Sequence, residues 1–212
     1  MTAQPVSGTD HPFLDTLSEA HQQALDALAA DLPLDAVVWL SAHVAACQHT
    51  VHRVAGRTPV AARALNALRA ADLELERVLR RVEQHHAGDS LAAQLNEERL
   101  GTVLRRALHA HERAEAELVN ALMGQLASDD AAQLIASYDE ALRQAPTRPH
   151  PHTPHRGALG ALAFRVDAIR DKVMDTMDGR HVPAPRKSRE SVRPGRWGSY
   201  ILGEMHTADK QP

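Results

Sequence analysis

The sequence predicts an all-α fold: an up-down-up-down four-helix bundle, two additional C-terminal helices and a disordered tail. Three observations carry that prediction. Only two Phe, two Trp and two Tyr occur in 212 residues, whereas strands draw on aromatic and β-branched side chains. No proline falls between Val60 and Ala145, and proline is excluded from helix interiors. Apolar residues recur at three- and four-residue steps over long stretches, the period of an amphipathic helix.

The elements follow in chain order. A first helix is expected from about His11 to Asp31, with Pro12 suited to its first turn. A second runs from about Leu34 to Ala55 and stops at Gly56. Thr58-Pro59 opens a third, threonine as cap and proline at the first helical position, and Gly88 closes it. The fourth spans about Ser90 to Leu126, and Ser128-Asp-Asp130 caps a fifth that carries Leu134, Ile135, Tyr138 and Leu142. Prolines 146, 149, 151 and 154, alternating with histidine, predict an extended strap. A sixth helix is expected from about Leu159 to Met177, with Asp167, Asp171 and Asp175 on a charged outer face or, as the alternative, in an arginine–aspartate network that ties the strap down. The resulting division is a flexible N-terminus (1–11), a four-helix bundle (12–126), a helical extension with its strap at 146–156 (127–180), and a basic tail (181–212).

Composition narrows the function. The net charge of −3 argues against a dedicated nucleic-acid domain. No apolar run approaches the roughly 18 residues of a membrane span. The first ten residues carry neither a basic nor an apolar stretch of a signal peptide. With one cysteine, Cys47, no intrachain disulfide can form, which fits a cytoplasmic protein. Fourteen histidines are the unusual feature.

Several of them interrupt the core stripes. The first helix reads Leu14, Leu17, His21, Ala24, Leu28, with histidine at the centre. The third reads Leu65, Leu68, Asp72, Leu75, Leu79, and the fourth Leu104, Leu108, His111, Glu115, Leu118, Leu122. On the second, His43 stands beside the seam of Leu40, Val44 and Cys47. Counting residues from each turn, at about 1.5 Å per residue, places His21, His43, Asp72 and the His111/Glu115 pair near one level. Unpaired, such buried groups cost several kcal/mol each. A cation offsets that cost, because imidazole and carboxylate suit iron, zinc and manganese.

The segments Ser18-Glu-Ala-His21, Trp39-Leu-Ser-Ala-His43 and Leu108-His-Ala-His-Glu-Arg-Ala-Glu115 resemble the hemerythrin-like (HHE cation-binding) domain over about residues 12–126, in its divergent actinobacterial type. That resemblance implies a four-helix bundle holding non-haem iron, often dinuclear, that binds or senses oxygen, nitric oxide or peroxide. By matching position it makes His21, His43, His111 and Glu115 ligands, with Asp72 as a fifth. Where the family has a glutamate four residues after its second-helix histidine, this chain has Cys47 and Gln48. Where the family's third helix supplies histidine, this chain has Asp72.

Two other functions remain open at this level. One is a metal-free interaction scaffold whose seam groups bond to one another or to buried water. The other is a metal-dependent thiol transferase of the helical, three-histidine kind, which calls for no carboxylate at the ion. The remaining histidines have plainer readings. His85 and His86 sit where cationic side chains suit a helix C-terminus, and His49 and His52 belong to the surface or rim. The tail basic residues, Arg186 to Arg196, read as a flexible terminus.

Overall fold

The computed structural model describes residues 12–88, 96–149 and Asp171. Among them every regular element is helical. In chain order these are α1 (Pro12–Ala29), α2 (Pro33–His49), the short α3 (Val51–Ala55), a 3-10 turn (Pro59–Ala61), α4 (Ala62–His86), α5 (Glu97–Met123) and α6 (Ser128–Gln144). None of these helices is long and apolar enough to cross a membrane.

Local chemistry sets the boundaries. Between α1 and α2 the chain reverses at Asp31, whose φ of 60° lies in the left-handed region that aspartate tolerates better than most residues. The single second helix expected over 34–55 is broken at Thr50. Its hydroxyl donates to the Ala46 carbonyl at 2.7 Å, and such back-bonding bends or interrupts helices. Thr58 does not cap as anticipated; its hydroxyl donates backwards to Val54 O at 3.1 Å, and Pro59 opens the 3-10 turn instead. The cap of α5 is Asn96, whose side chain accepts from Arg99 N at 2.9 Å. Ser128 is the first residue of α6, and no side chain caps that helix. Gly88 ends the α4 turn at φ 77°, the conformation glycine favours after a helix.

The long helices close a ring: α1 packs on α2, α2 on α4, α4 on α5, and α5 on α1, with α6 laid against α2 and α1. Its interior is divided along the axis. One apolar block gathers Phe13, Leu17, Val51, Leu65, Leu68, Leu118, Leu122, Leu134 and Tyr138. The other gathers Ala24, Leu40, Val44, Leu75, Leu79, Val82, Leu104 and Leu108. On α1 the blocks are separated at His21, on α4 at Asp72 and on α5 at His111, so a polar layer crosses the ring between two aliphatic ones.

Beyond α6 the chain from Ala145 to Pro149 is irregular, with Ala145 and Thr147 buried. Asp171 corrects an expectation. Rather than standing on a charged outer face it is 1% exposed, and its carboxylate accepts from Arg148 N at 2.9 Å, which is the arginine–aspartate tie that the sequence offers as the alternative. Arg148 also donates to Glu83 of α4 at 3.1 Å, so this aspartate belongs to a buried polar tie. The N-terminus to residue 11, the strap from 150 to 156, the rest of the sixth predicted helix and the tail from 181 lie outside the described residues.

Two substitutions check this packing. Leu68→Ala removes a fully buried side chain and is expected to cost about 2–5 kcal/mol in urea unfolding. Asn96→Ala removes only the α5 cap and should cost about 1 kcal/mol. Comparable losses for both would contradict the burial assigned here.

Candidate metal centre

The polar layer draws one side chain from each of several helices. His21 comes from the inner face of α1, His43 from α2, and His111 and Glu115 from successive turns of α5. Because α5 begins at Glu97, His111 lies fourteen residues into it, matching the depth of Asp72, fourteen residues before the end of α4 at His86. His43 and His111 are 0% exposed, Glu115 2% and His21 5%.

The geometry is convergent. His43 Nε2 lies 3.0 Å from His21 Nε2 and 3.1 Å from His111 Nε2. The Glu115 carboxylate closes the group, 3.1 Å from His43 Nε2, 3.5 Å from His21 Nε2 and 3.8 Å from His111 Nε2. One ligand-capable atom from each of these four residues falls within 4.8 Å of all the others. They can therefore hold a metal ion.

The outward-facing nitrogens are held as well. His111 Nδ1 donates to Asp72 Oδ1 at 2.9 Å, which leaves its Nε2 free to act as a lone-pair donor. His43 Nδ1 meets the Tyr138 hydroxyl of α6 at 2.7 Å. His21 Nδ1 is 3.8 Å from Glu112 Oε1. Partners of this kind fix the tautomer and ring orientation of ligating histidines.

Asp72, expected as a fifth ligand, does not join the four. Its place on α4 turns one oxygen to the back of the His111 ring and brings the other within 3.2 Å of His52 Nε2. It orients an imidazole rather than facing the centre. His52 is likewise not at the rim: it is 6% exposed, and burial lowers its pKa against the opposing pull of Asp72. Gln48 donates to Glu76 at 3.0 Å in the same layer. Here Gln48 Oε1, His52 Nε2 and Asp72 Oδ2 are buried without a hydrogen bond among the described residues.

Tyr138, which the sequence offers only as one apolar position of a fifth helix, belongs to the site as well. A signal existed, because a buried tyrosine needs a partner for its hydroxyl. Cys47 is fully buried, as a small apolar residue would be. Its thiol donates to Glu115 Oε1 at 3.1 Å and stands 3.9 Å from His43 Nε2. At the end of α4, His86 Nδ1 donates to Val82 O at 2.9 Å, in keeping with its reading as a terminal capping residue.

Electrostatics in the layer are mutual. Burial, then the neighbouring His43, pushes the His21 pKa down to about 3. Burial would raise the Glu115 carboxyl, but His43, His111 and His21 together hold it below the usual carboxylate range. Burial also opposes protonation of His111; the hydrogen bond to Asp72 and the charge of Glu115 more than offset it, and its pKa rises. Burial, then Glu115, pushes the Cys47 thiol up. Three ring nitrogens and a carboxylate thus face one point, a donor set that a single cation can meet at once.

One face of the layer is accessible. A cavity of about 350 Å³ lies between α1 and α5, with His21 and Glu115 at its base and the exposed Asp15, Ser18 and Gln22 toward the surface. No protein-family model, no curated protein and no solved structure matches the chain. Fold and site together define an all-helical protein with a buried histidine–glutamate cluster able to bind a metal ion.

Tyr138→Phe tests how far α6 contributes to the centre. Losing the hydroxyl leaves His43 Nδ1 buried without its partner. Affinity for cobalt(II) or zinc(II) should fall about 10- to 100-fold, read by competition with a chromophoric chelator. An unchanged affinity would mean that His43 is oriented by packing alone.

Proposed function

We propose that this protein binds one divalent transition-metal ion within the helical ring, through His21, His43, His111 and Glu115, and offers it to a small exogenous ligand. The observation that carries this reading is the convergence of three Nε2 atoms and a carboxylate inside a layer sealed on its other sides. Donor chemistry fits: imidazole and carboxylate suit iron, zinc and manganese.

Spacing favours one ion over two. Around a single ion with bonds of about 2.1 Å, donor atoms stand at most about 4.2 Å apart; five of the six separations among the four donors range from 3.0 to 3.8 Å, and the sixth, His21 to His111, is within 4.8 Å. A dinuclear centre places its ions about 3.5–4 Å apart and needs a wider donor set. Asp72, which would have served as a bridge, is engaged behind His111.

The closed ring of four long helices accords with the hemerythrin-like bundle that the sequence resembles. In that reading the ion is non-haem iron and its exogenous ligands are oxygen, nitric oxide or peroxide, in a cytoplasmic protein. When bound, the ion supplies Lewis acidity at its open position. The protein's own groups do the rest. Glu115 balances part of the positive charge, Asp72 and Tyr138 hold two rings in place, and the aliphatic blocks above and below exclude water. A metal-free scaffold is the alternative, favoured by the contacts the cluster groups make among themselves, such as Cys47 to Glu115. Glu115 within the cluster speaks against the three-histidine thiol transferase.

Metal analysis of untagged protein decides between these readings. Iron, zinc or manganese at one ion per chain is expected, with thermal stability rising as the ion is added, by about 2.7 kcal/mol at a free concentration a hundredfold above Kd. Two ions per chain would instead restore the dinuclear form. His111→Ala should abolish uptake; unchanged uptake would place the ion elsewhere, for example on His150, His152 and His155. Neither metal in the purified protein nor uptake on titration would leave the scaffold.

A further inference from the structure

We infer that the cavity between α1 and α5 binds a small organic molecule with a lone-pair donor at one end and a protonated amine at the other. The inference rests on the metal-binding reading above and goes beyond a diatomic gas or peroxide as the ligand.

Size comes first. At about 350 Å³ the cavity exceeds by about tenfold the volume share of one water molecule, and it reaches the range of small-molecule sites. A diatomic gas would leave most of it unfilled. Its extent along α1 runs from Leu14 to Leu25, about 16 Å at the helical rise. The occupant is therefore elongated, lying along α1 rather than perched on the ion.

Chemistry along that length is graded. The floor is His21 and Glu115, where an ion held by the cluster can accept a donor atom from outside. The walls are Leu14, Leu17, Leu25 and Ala116, which suit an aliphatic or aromatic middle. The charged groups toward the surface are Asp15 and Glu112, the latter also paired with His109 Nδ1 at 2.8 Å, and among the described residues neither Lys nor Arg lines the cavity. Asp15 stands six residues before His21, about 9 Å along the helix, a distance that a short alkyl chain spans. A cation at the floor and carboxylates at the mouth select a molecule with the opposite polarity: electron donor inward, positive charge outward. An anionic tail would meet Asp15 and Glu112 as like charges.

Three probes sharing one coordinating head separate these terms: N-aminopropylimidazole, N-butylimidazole and imidazolyl butanoate. Each is titrated into the full chain loaded with cobalt(II), and binding is read from the visible ligand-field bands. The amine should bind about threefold to fivefold tighter than the neutral probe, the range of a partly exposed ion pair, and the carboxylate weaker than both. Asp15→Asn and Glu112→Gln should each reduce that preference, and raised salt should shrink it. Equal affinities for the three probes, or a preference for the carboxylate, would overturn the inference while leaving the metal centre intact. Absence of cobalt uptake would overturn the metal reading, and this inference with it. If Glu112→Gln loses cobalt because of its position near His21, Asp15→Asn, exposed and away from the cluster, still gives the answer.

Discussion

One layer of imidazole and carboxylate groups, cut across an otherwise aliphatic interior, constrains everything else in this molecule. Buried groups of this kind cost several kcal/mol each when unpaired, against a total stability of about 5–15 kcal/mol for a typical domain. The layer is tolerable only if its members meet. That requirement sets the register of four helices at once, because His21, His43, His111 and Glu115 lie on three of them and Asp72 on the fourth. Slipping any helix by one turn, about 5.4 Å, would drive an aliphatic side chain into the layer and a polar one into the leucines. The two apolar blocks supply the driving force for assembly, and the layer between them makes the assembly specific.

The second consequence concerns α6. Four helices already close the ring, yet the Tyr138 hydroxyl reaches His43 from outside the four, while its ring stacks edge-on against Phe13 at 6.0 Å. The same residue is both core and polar anchor. Asp72 plays the matching part from α4, behind His111. A ring nitrogen can face the centre dependably only if its opposite nitrogen is satisfied, so both anchors pre-set the direction of the lone pairs. The price for Asp72 is a second buried contact with His52, which burial holds toward its neutral form.

Much of this was legible from residue order. Polar residues at the centre of leucine stripes marked the layer, and residue counts from the turns gave its depth. The four that gather were all named from the sequence. What periodicity could not supply is azimuth, the direction in which a side chain leaves its helix relative to a neighbour. Asp72 and Glu115 look equivalent on their stripes, yet one faces the ring of donors and the other the back of an imidazole. His43 sat beside the seam on paper and is fully buried in the fold, because α2 is covered by α6 as well as by α1 and α4. His52 is buried for a different reason: the break at Thr50 puts it on α3, which packs on α4 and α5 as well as on α2. For Asp171 the sequence leaves an outer face and an arginine tie both open, because its partner, Arg148, lies in an irregular segment whose path no hydrophobic period describes.

The layer is also asymmetric, and the asymmetry assigns different duties to its walls. Along α2, α4, α5 and α6 the cluster is sealed by Val44, Cys47, Leu75, Leu108, Leu118 and Tyr138, each with essentially no exposed surface. On the α1 side the seal is incomplete, since His21 and Glu115 form the base of a cavity whose outer lining is exposed. α1 contributes a single donor to the cluster, whereas α5 contributes two from successive turns. The approach to the centre and one of its nitrogens thus belong to the same helix: Leu14 to Leu25 line the cavity along α1, and His21 stands among them.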